Sequence, residues 1–180
     1  ANPNAIRVGQ ELRVPSVPPA TVTMIPCVNQ WFFTFNTSRT DPRCPVPVDV
    51  TDAVGHDFEG GRAYWYKATA TYPQSLIYII YNDGTWAVYE DTWNTSMPMD
   101  DPSIVPPTGR YQPVRGIGKV WREQPGVRAK LGWAYEPEYA FRGRRQEPQL
   151  LDINFSDLYI DHGTRNLVLN LRYLSRTTGE

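Results

Sequence analysis

Hydrophobic and polar residues alternate with a period of two in several stretches of the chain, and this alternation predicts strands rather than helices. The clearest stretch is SLIYIIYNDGTWAVYEDTW, residues 75–93, in which two β-rich runs flank a polar segment at 82–85. The Asp83-Gly84 step in that segment supplies the positive φ that a tight turn requires. The sequence therefore predicts a β-hairpin here.

A second hairpin is predicted in SDLYIDHGTRNLVLNLRYLS, residues 156–175. Leu167, Leu169 and Leu171 alternate onto one face of the returning strand, and His162-Gly163 lies at the turn. Aromatic residues favour strands, so two more are expected elsewhere. They are NQWFFTFN, residues 29–36, and a strand around 64–67.

One short helix is predicted between the hairpins. Pro125 suits the first turn of a helix, Val127 and Leu131 lie four residues apart on one face, and Gly132 suits the C-terminal cap. The pattern also allows a helical turn before it, around Val120-Trp121.

The two hairpins share a Phe-x-Gly element that precedes each of them, at 58–60 and at 141–143. This indicates an imperfect duplication of residues 58–93 in residues 141–174, with a chance likeness of two ordinary hairpins as the alternative. The predicted fold is mainly β: a small barrel or packed sheets built from the two related hairpins, with one short helix between them.

The chain is predicted to have three parts. Residues 1–15 form an N-terminal appendage that ends in a strand, and residues 16–26 form a Pro-rich linker. Residues 27–180 form the β-rich domain.

Composition and charge argue against several functions. The 180 residues carry a formal net charge of -1, so a basic surface for nucleic acid is not expected. Apolar runs fall short of the roughly 20 residues that a membrane helix needs, so no membrane span is expected. The chain shows no signal peptide, and an exported protein would have lost it.

Two cysteines, Cys27 and Cys44, flank an aromatic and turn-rich segment. In an oxidising compartment they would close this loop as a disulfide, with a stabilisation of roughly 3 kcal/mol. The alternative is a pair of unrelated buried thiols. A metal site is not expected, because no CxxC pair or histidine stands at ligand spacing.

Known catalytic motifs are missing from the sequence, including the Gly-x-Ser-x-Gly elbow, HExxH and the phosphate loop. His56 and His162, each beside a Gly-containing turn, are interpreted as solvated loop residues. Asp157 and Asp161 would share a strand face about 13 Å apart, too far to hold one cation alone. We interpret them as the solvent-facing end of the hairpin, and we expect no catalytic residue, metal ion or cofactor.

Glycoside hydrolysis stays open as an alternative, because it requires two carboxylates that the fold brings together. The candidates are Glu59, Glu90, Asp91 and Asp152.

Tryptophan side chains are the candidate ligand contacts, because exposed indole rings stack on the apolar faces of sugars. Trp93, at a strand end, and Trp133, just after Gly132, are the candidates for glycan binding. Trp86 and Trp121 lie on apolar faces and are predicted to be core.

The opening stretch NPNAIRVGQELRVP resembles the C-terminal part of a LysM domain. The matching residues are Asn2, Pro3, Asn4, Ile6, Val8, Gly9, Gln10, Leu12 and Pro15. LysM modules bind N-acetylglucosamine-containing glycans, so the resemblance implies a glycan-binding role for Asn2, Asn4 and Ile6. The first strand and both helices of that family would precede this segment, which implies a longer secreted parent protein.

The rest of the chain resembles uncharacterised secreted proteins of Chloroflexus-type bacteria. The shared motifs are WFFTF with a following Cys-Pro, FEGG, DGTW and GKVWREQPGVRAKLGWA. The resemblance implies an extracellular or cell-envelope location and brings no known activity.

Together these observations predict a non-catalytic module associated with wall glycan, either peptidoglycan or a chitin-like polymer. The alternatives are a protein-interaction or adhesive module that contacts other envelope proteins, and a glycoside hydrolase.

Overall fold

The computed structural model of the protein describes residues 26–35, 43–149, 155–163 and 168–174. Within these ranges the chain is mainly β, with seven strands and two short helices. In chain order these elements are β1 (Asp49–Phe58), β2 (Gly61–Tyr66), β3 (Leu76–Tyr81), β4 (Trp86–Glu90), α1 (Arg115–Glu123), α2 (Val127–Leu131), β5 (Tyr139–Gln146), β6 (Phe155–Asp161) and β7 (Val168–Leu174).

The seven strands form one antiparallel sheet in the order β4-β3-β2-β1-β5-β6-β7. Its two edges meet where Trp86 Nε1 on β4 donates a hydrogen bond to Arg172 O on β7, at 3.2 Å. The sheet is therefore a nearly closed barrel, and the predicted mainly β fold is confirmed.

Two apolar clusters lie on opposite faces of this sheet, because alternate side chains of a strand point to opposite sides. One cluster draws on all seven strands and fills the barrel interior. Its members include Ala53, Tyr64, Tyr66, Tyr78, Trp86, Phe141, Leu158, Ile160 and Leu171. The other cluster packs the outer face of β1–β3 against both helices. It includes Phe58, Ala63, Ile77, Ile79, Ile117, Val120, Trp121, Val127 and Leu131.

The first predicted hairpin is confirmed as β3–β4. Gly84 has a φ of 83°, its N–H donates to Tyr81 O at 3.0 Å, and Tyr81 N–H donates to Thr85 O at 2.9 Å. The loop thus has three residues with glycine at the left-handed position. Asp83 keeps a negative φ and instead accepts a hydrogen bond from Thr85 N–H at 2.9 Å.

The second predicted hairpin is confirmed as β6–β7, with Asp161 opposite Val168. Gly163 has a φ of 75° at the start of the connection. Residues 164–167, which include Leu167, lie outside the described residues.

The prediction of a strand at 29–36 is wrong over residues 29–35, which are irregular. The backbone of this segment bonds to one glutamine side chain instead of to a neighbouring strand. Gln146 Oε1 accepts a hydrogen bond from Phe32 N–H at 2.9 Å, and Gln146 Nε2 donates one to Gln30 O at 3.0 Å. The aromatic rings of this segment pack against the ring of Tyr159 of β6, with Trp31 edge-on at 4.9 Å between centroids. The aromatic residues of this segment therefore pack on the outside of the barrel and do not form a strand.

The prediction of one helix is corrected to two. Val127–Leu131 forms α2 between Gly126 at φ 79° and Gly132 at φ 70°, and Pro125 precedes it rather than lying in its first turn. The longer helix α1 covers Arg115–Glu123. The sequence predicts only a helical turn in this region, because α1 contains two glycines and lacks a side-chain N-cap.

The two Phe-x-Gly elements occupy different places in the barrel. Phe58 is the last residue of β1, whereas Phe141 lies within β5. Strand β1, the long central strand, was not predicted. The predicted appendage 1–15 and residues 16–25 of the predicted linker lie outside the described residues.

The predicted disulfide is confirmed. Cys27 and Cys44 are bonded, with their Cα atoms 5.3 Å apart and a sequence separation of 17. The bond closes the loop whose rings pack against Tyr159. A disulfide is typical of proteins in an oxidising, extracellular environment.

Candidate functional site: a cavity at the start of helix α1

A cavity of about 280 Å³ lies where β1, β2 and the end of β4 meet the first turn of α1. This volume is close to the lower end of the range for small-ligand pockets. The lining residues are Val54, Trp65, Asp91, Trp93, Val114, Arg115, Gly116, Ile117 and Glu138. Aromatic rings, carboxylates and a guanidinium thus converge on one space.

Asp91 is fixed in this cavity by both of its carboxylate oxygens. Its Oδ2 accepts a hydrogen bond from Trp65 Nε1 at 2.7 Å, and its Oδ1 accepts one from Trp93 N–H at 3.0 Å. A side chain on Gly116 would collide with this carboxylate, so glycine lets Asp91 approach the first turn of α1. The positive end of the helix dipole stabilises an anion at this position.

Glu138 is the second carboxyl group of the cavity, and its side chain is only 14% exposed. It accepts a hydrogen bond from Val114 N–H, and its Oε2 lies 3.9 Å from Arg115 Nη1. Its Oε1 has no hydrogen-bond partner among the described residues. Burial raises the pKa of Glu138 above its usual range, against the opposing effects of these two neighbours.

His56 lies behind Glu138, with its Nδ1 3.9 Å from Glu138 Oε1. Its Nε2 lies 2.7 Å from Glu136 O, so Nε2 carries the hydrogen and the neutral tautomer presents the Nδ1 lone pair toward Glu138. Burial lowers the pKa of His56. The protonated form of Glu138 would therefore have a nearby acceptor.

The prediction that the histidines are solvated loop residues is wrong. His56 is within β1 and 1% exposed, and His162 is fully buried beside the Tyr64 ring. The glycine next to His56 suggested a turn, but Gly55 and His56 both belong to strand β1.

Arg115 has a φ of 49°, the one positive φ outside glycine among the described residues. Such a conformation costs free energy and is often found at ligand sites. It directs the chain into α1 right at the cavity wall.

The structure places the two predicted tryptophans in different surroundings. Trp93 lines the cavity and is half-buried, whereas Trp133 packs on Trp121 at 5.3 Å between centroids. The Arg128 guanidinium lies over the rings of both Trp121 and Trp133. The glycan-binding role of each remains a prediction, and Asn2, Asn4 and Ile6 lie outside the described residues.

Of the four carboxylates considered for hydrolysis, Asp91 alone lines this cavity. Glu59 binds Arg110 at 2.7 Å and Trp133 N–H at 3.0 Å, Glu90 accepts a hydrogen bond from Gln74, and Asp152 lies outside the described residues. Glu138, which is in the cavity, had no local sequence signal.

The two aspartates of β6 are also placed differently than predicted. Asp157 is 2% exposed, with its carboxylate oxygens 2.6 Å from Arg43 and 2.9 Å from Arg172. Asp161 is 4% exposed and pairs with Arg144 at 2.7 Å. They are buried ion-pair partners rather than a solvent-facing end, because the 26–35 segment and Arg43 cover the outer face of β6.

Within the described ranges, clustered histidine, cysteine and acidic side chains do not form a group that could hold a metal ion. Neither of the two helices has the length and apolar character needed to cross a lipid bilayer. Comparison with family models, curated proteins and solved structures found no match to this chain.

Proposed function

We propose that this chain is a non-catalytic extracellular module that binds a carbohydrate in the cavity at the start of α1. The observation that carries this proposal is the position of Asp91, whose two oxygens hold Trp65 and Trp93 at the same cavity. Indole rings bury the apolar faces of sugars, and a carboxylate accepts hydrogen bonds from sugar hydroxyl groups.

The arrangement is preorganised for binding. Trp65 is anchored in β2, and Asp91 follows directly after β4, so both are carried by the barrel. Ligand binding therefore requires little additional ordering of side chains, which is one of the main costs of binding.

The Cys27–Cys44 disulfide supports an extracellular location. The resemblance of residues 1–15 to a LysM domain supports a wall glycan as the ligand, either peptidoglycan or a chitin-like polymer. Association with other envelope proteins is an additional proposal that follows from the same location.

The test is a pull-down of the whole chain with insoluble peptidoglycan and with chitin. We expect retention by at least one polymer and a loss of at least ten-fold in affinity for Trp93→Ala. Trp133→Ala is the matched control, because it removes another partly buried indole that does not line the cavity. Absence of retention by both polymers, or equal loss in the two folded variants, would contradict the proposal.

Glycoside hydrolysis is the second candidate, and one observation favours it. Glu138, with a raised pKa, and Asp91, fixed by two hydrogen bonds, provide two carboxyl groups in different environments in one cavity. Such a pair can divide the roles of general acid and of base or nucleophile.

A reducing-end assay on solubilised wall glycan distinguishes hydrolysis from binding alone. Hydrolysis predicts turnover in the wild type that Glu138→Gln abolishes while sugar affinity is retained. Binding alone predicts no release of reducing ends by either protein.

A further inference from the structure

A second depression, of about 450 Å³, lies beside the ligand cavity, and Trp93 lines both. Its other lining residues come from the loop that follows Trp93, including Met97, Pro98 and Asp101, and from the exposed side of α1, including Lys119 and Arg122. We call the 280 Å³ cavity the inner cavity and this depression the outer cavity.

Trp93 is held from both sides. Its backbone N–H donates to Asp91 in the wall of the inner cavity, and its indole Nε1 donates to Pro98 O in the wall of the outer cavity, each at 3.0 Å. The indole has one N–H group, and Pro98 already accepts it. The ring therefore offers a ligand its apolar surface in a fixed position between the two cavities.

The loop that carries the outer cavity is also fixed. Asp101 Oδ1 accepts hydrogen bonds from Ser103 N–H and Oγ, at 3.0 and 2.7 Å. Gln112 closes the loop by donating to Asp101 O at 2.9 Å and to Ile104 O at 2.8 Å. The loop that forms one wall of the outer cavity is thus held in place by hydrogen bonds.

The charges of the outer cavity are mixed. Lys119 forms an ion pair with Glu123 one helical turn away, and Arg122 lies near the backbone carbonyl of Pro113 at 3.4 Å. Three acidic and two basic side chains line this cavity. Such a balance of charges suits a neutral ligand rich in hydroxyl groups rather than a strongly charged one.

We infer that the ligand is a neutral oligosaccharide of at least two rings that passes over Trp93, with one ring in the inner cavity and the next in the outer cavity. This inference rests on the proposed function. Trp93 then contacts both rings, whereas Asp91 contacts the inner ring and Lys119 the outer ring.

The experiment is calorimetric titration of the whole chain with N-acetylglucosamine oligomers and with cellulose oligomers of one to four rings. We expect at least one series to bind, with affinity rising at least ten-fold from one ring to two. Lys119→Ala is expected to lower the affinity for two rings several-fold and to leave the affinity for one ring unchanged.

Lys130→Ala is the matched control, because Lys130 is an exposed lysine of α2 whose ion pair, with Asp83, lies outside both cavities. Equal binding of one and two rings, with no difference between the two lysine variants, would overturn the two-ring inference and leave the proposed function standing. Failure of every oligomer to bind would overturn both.

Discussion

Arg145 gives the sharpest test of how the barrel is held together. The side chain is fully buried near the end of β5, and its Nε and Nη2 donate to Asp49 Oδ2 at 3.0 and 2.7 Å. The guanidinium also lies over the rings of Tyr72 and Tyr66, at 4.0 and 5.1 Å from their centroids. Strands β1 and β5 are thus joined by a buried ion pair enclosed by aromatic rings.

Arg145→Met removes the positive charge and keeps an unbranched side chain of related shape. Asp49, whose side chain is 9% exposed, would then be a buried carboxylate without its cation. Breaking a buried pair in this way costs about 3–5 kcal/mol. Domains of this size have about 5–15 kcal/mol of stability in total, so the variant should be close to unfolding.

Arg142→Met is the matched control on the same strand. Arg142 pairs with Asp52 on the outer surface, where the two side chains are 64% and 58% exposed. Exposed pairs contribute about 0–1 kcal/mol. The same substitution three residues away should therefore leave the free energy of unfolding nearly unchanged.

The assay is urea unfolding followed by circular dichroism, for the wild type and both variants. The double variant Asp49→Asn/Arg145→Met should recover part of the loss, because it removes the unpaired carboxylate. A loss below about 1 kcal/mol for Arg145→Met, or equal losses in the two methionine variants, would refute this reasoning.

Two other predictions concern stability. Cys27→Ser/Cys44→Ser should lower the free energy of unfolding by about 3 kcal/mol, as expected for a 17-residue separation, and an unchanged urea midpoint would contradict this. Burial raises the pKa of Glu138, so its contribution to stability is present below the unfolded pKa near 4.5 and is lost as the pH rises through the folded pKa. Melting temperatures of Glu138→Gln and the wild type should therefore diverge in favour of the variant between pH 4 and pH 8, and a constant difference would refute the assignment.

Local turn chemistry made the two hairpins predictable. The polar segment at 82–85 encodes its turn through Gly84, and Gly163 does the same at the start of the second connection. Such signals act over a few residues and do not depend on the remainder of the fold.

The central strands were harder to predict because their buried positions include charged residues. Asp49 and Arg145 are 96 residues apart in sequence and are buried only as a pair. The sequence predicts Asp157 to be a surface residue, because its partner Arg43 is 114 residues away. Polarity therefore concealed strands β1 and β5, and in the predicted strand β6 it concealed the burial of the aspartates.

The candidate site was predictable only in part, because the tertiary fold brings some of its residues together from distant segments. Trp93 is predicted as a ligand contact at a strand end, and Asp91 is one of four candidate carboxylates that the sequence does not rank; both line the cavity. Glu138 and Arg115 come from segments with no motif of their own, and the barrel brings them to the cavity from the start of α1 and the approach to β5. Their roles arise from the tertiary fold and left no local pattern in the sequence.

The most direct measurement is an NMR titration that follows the indole N–H resonances of the tryptophans as an N-acetylglucosamine oligomer is added. Carbohydrate binding at the start of α1 predicts that the signals of Trp65 and Trp93 shift with one common affinity while those of Trp121 and Trp133 stay in place. Stationary Trp65 and Trp93 signals, or shifts confined to Trp121 and Trp133, would contradict it.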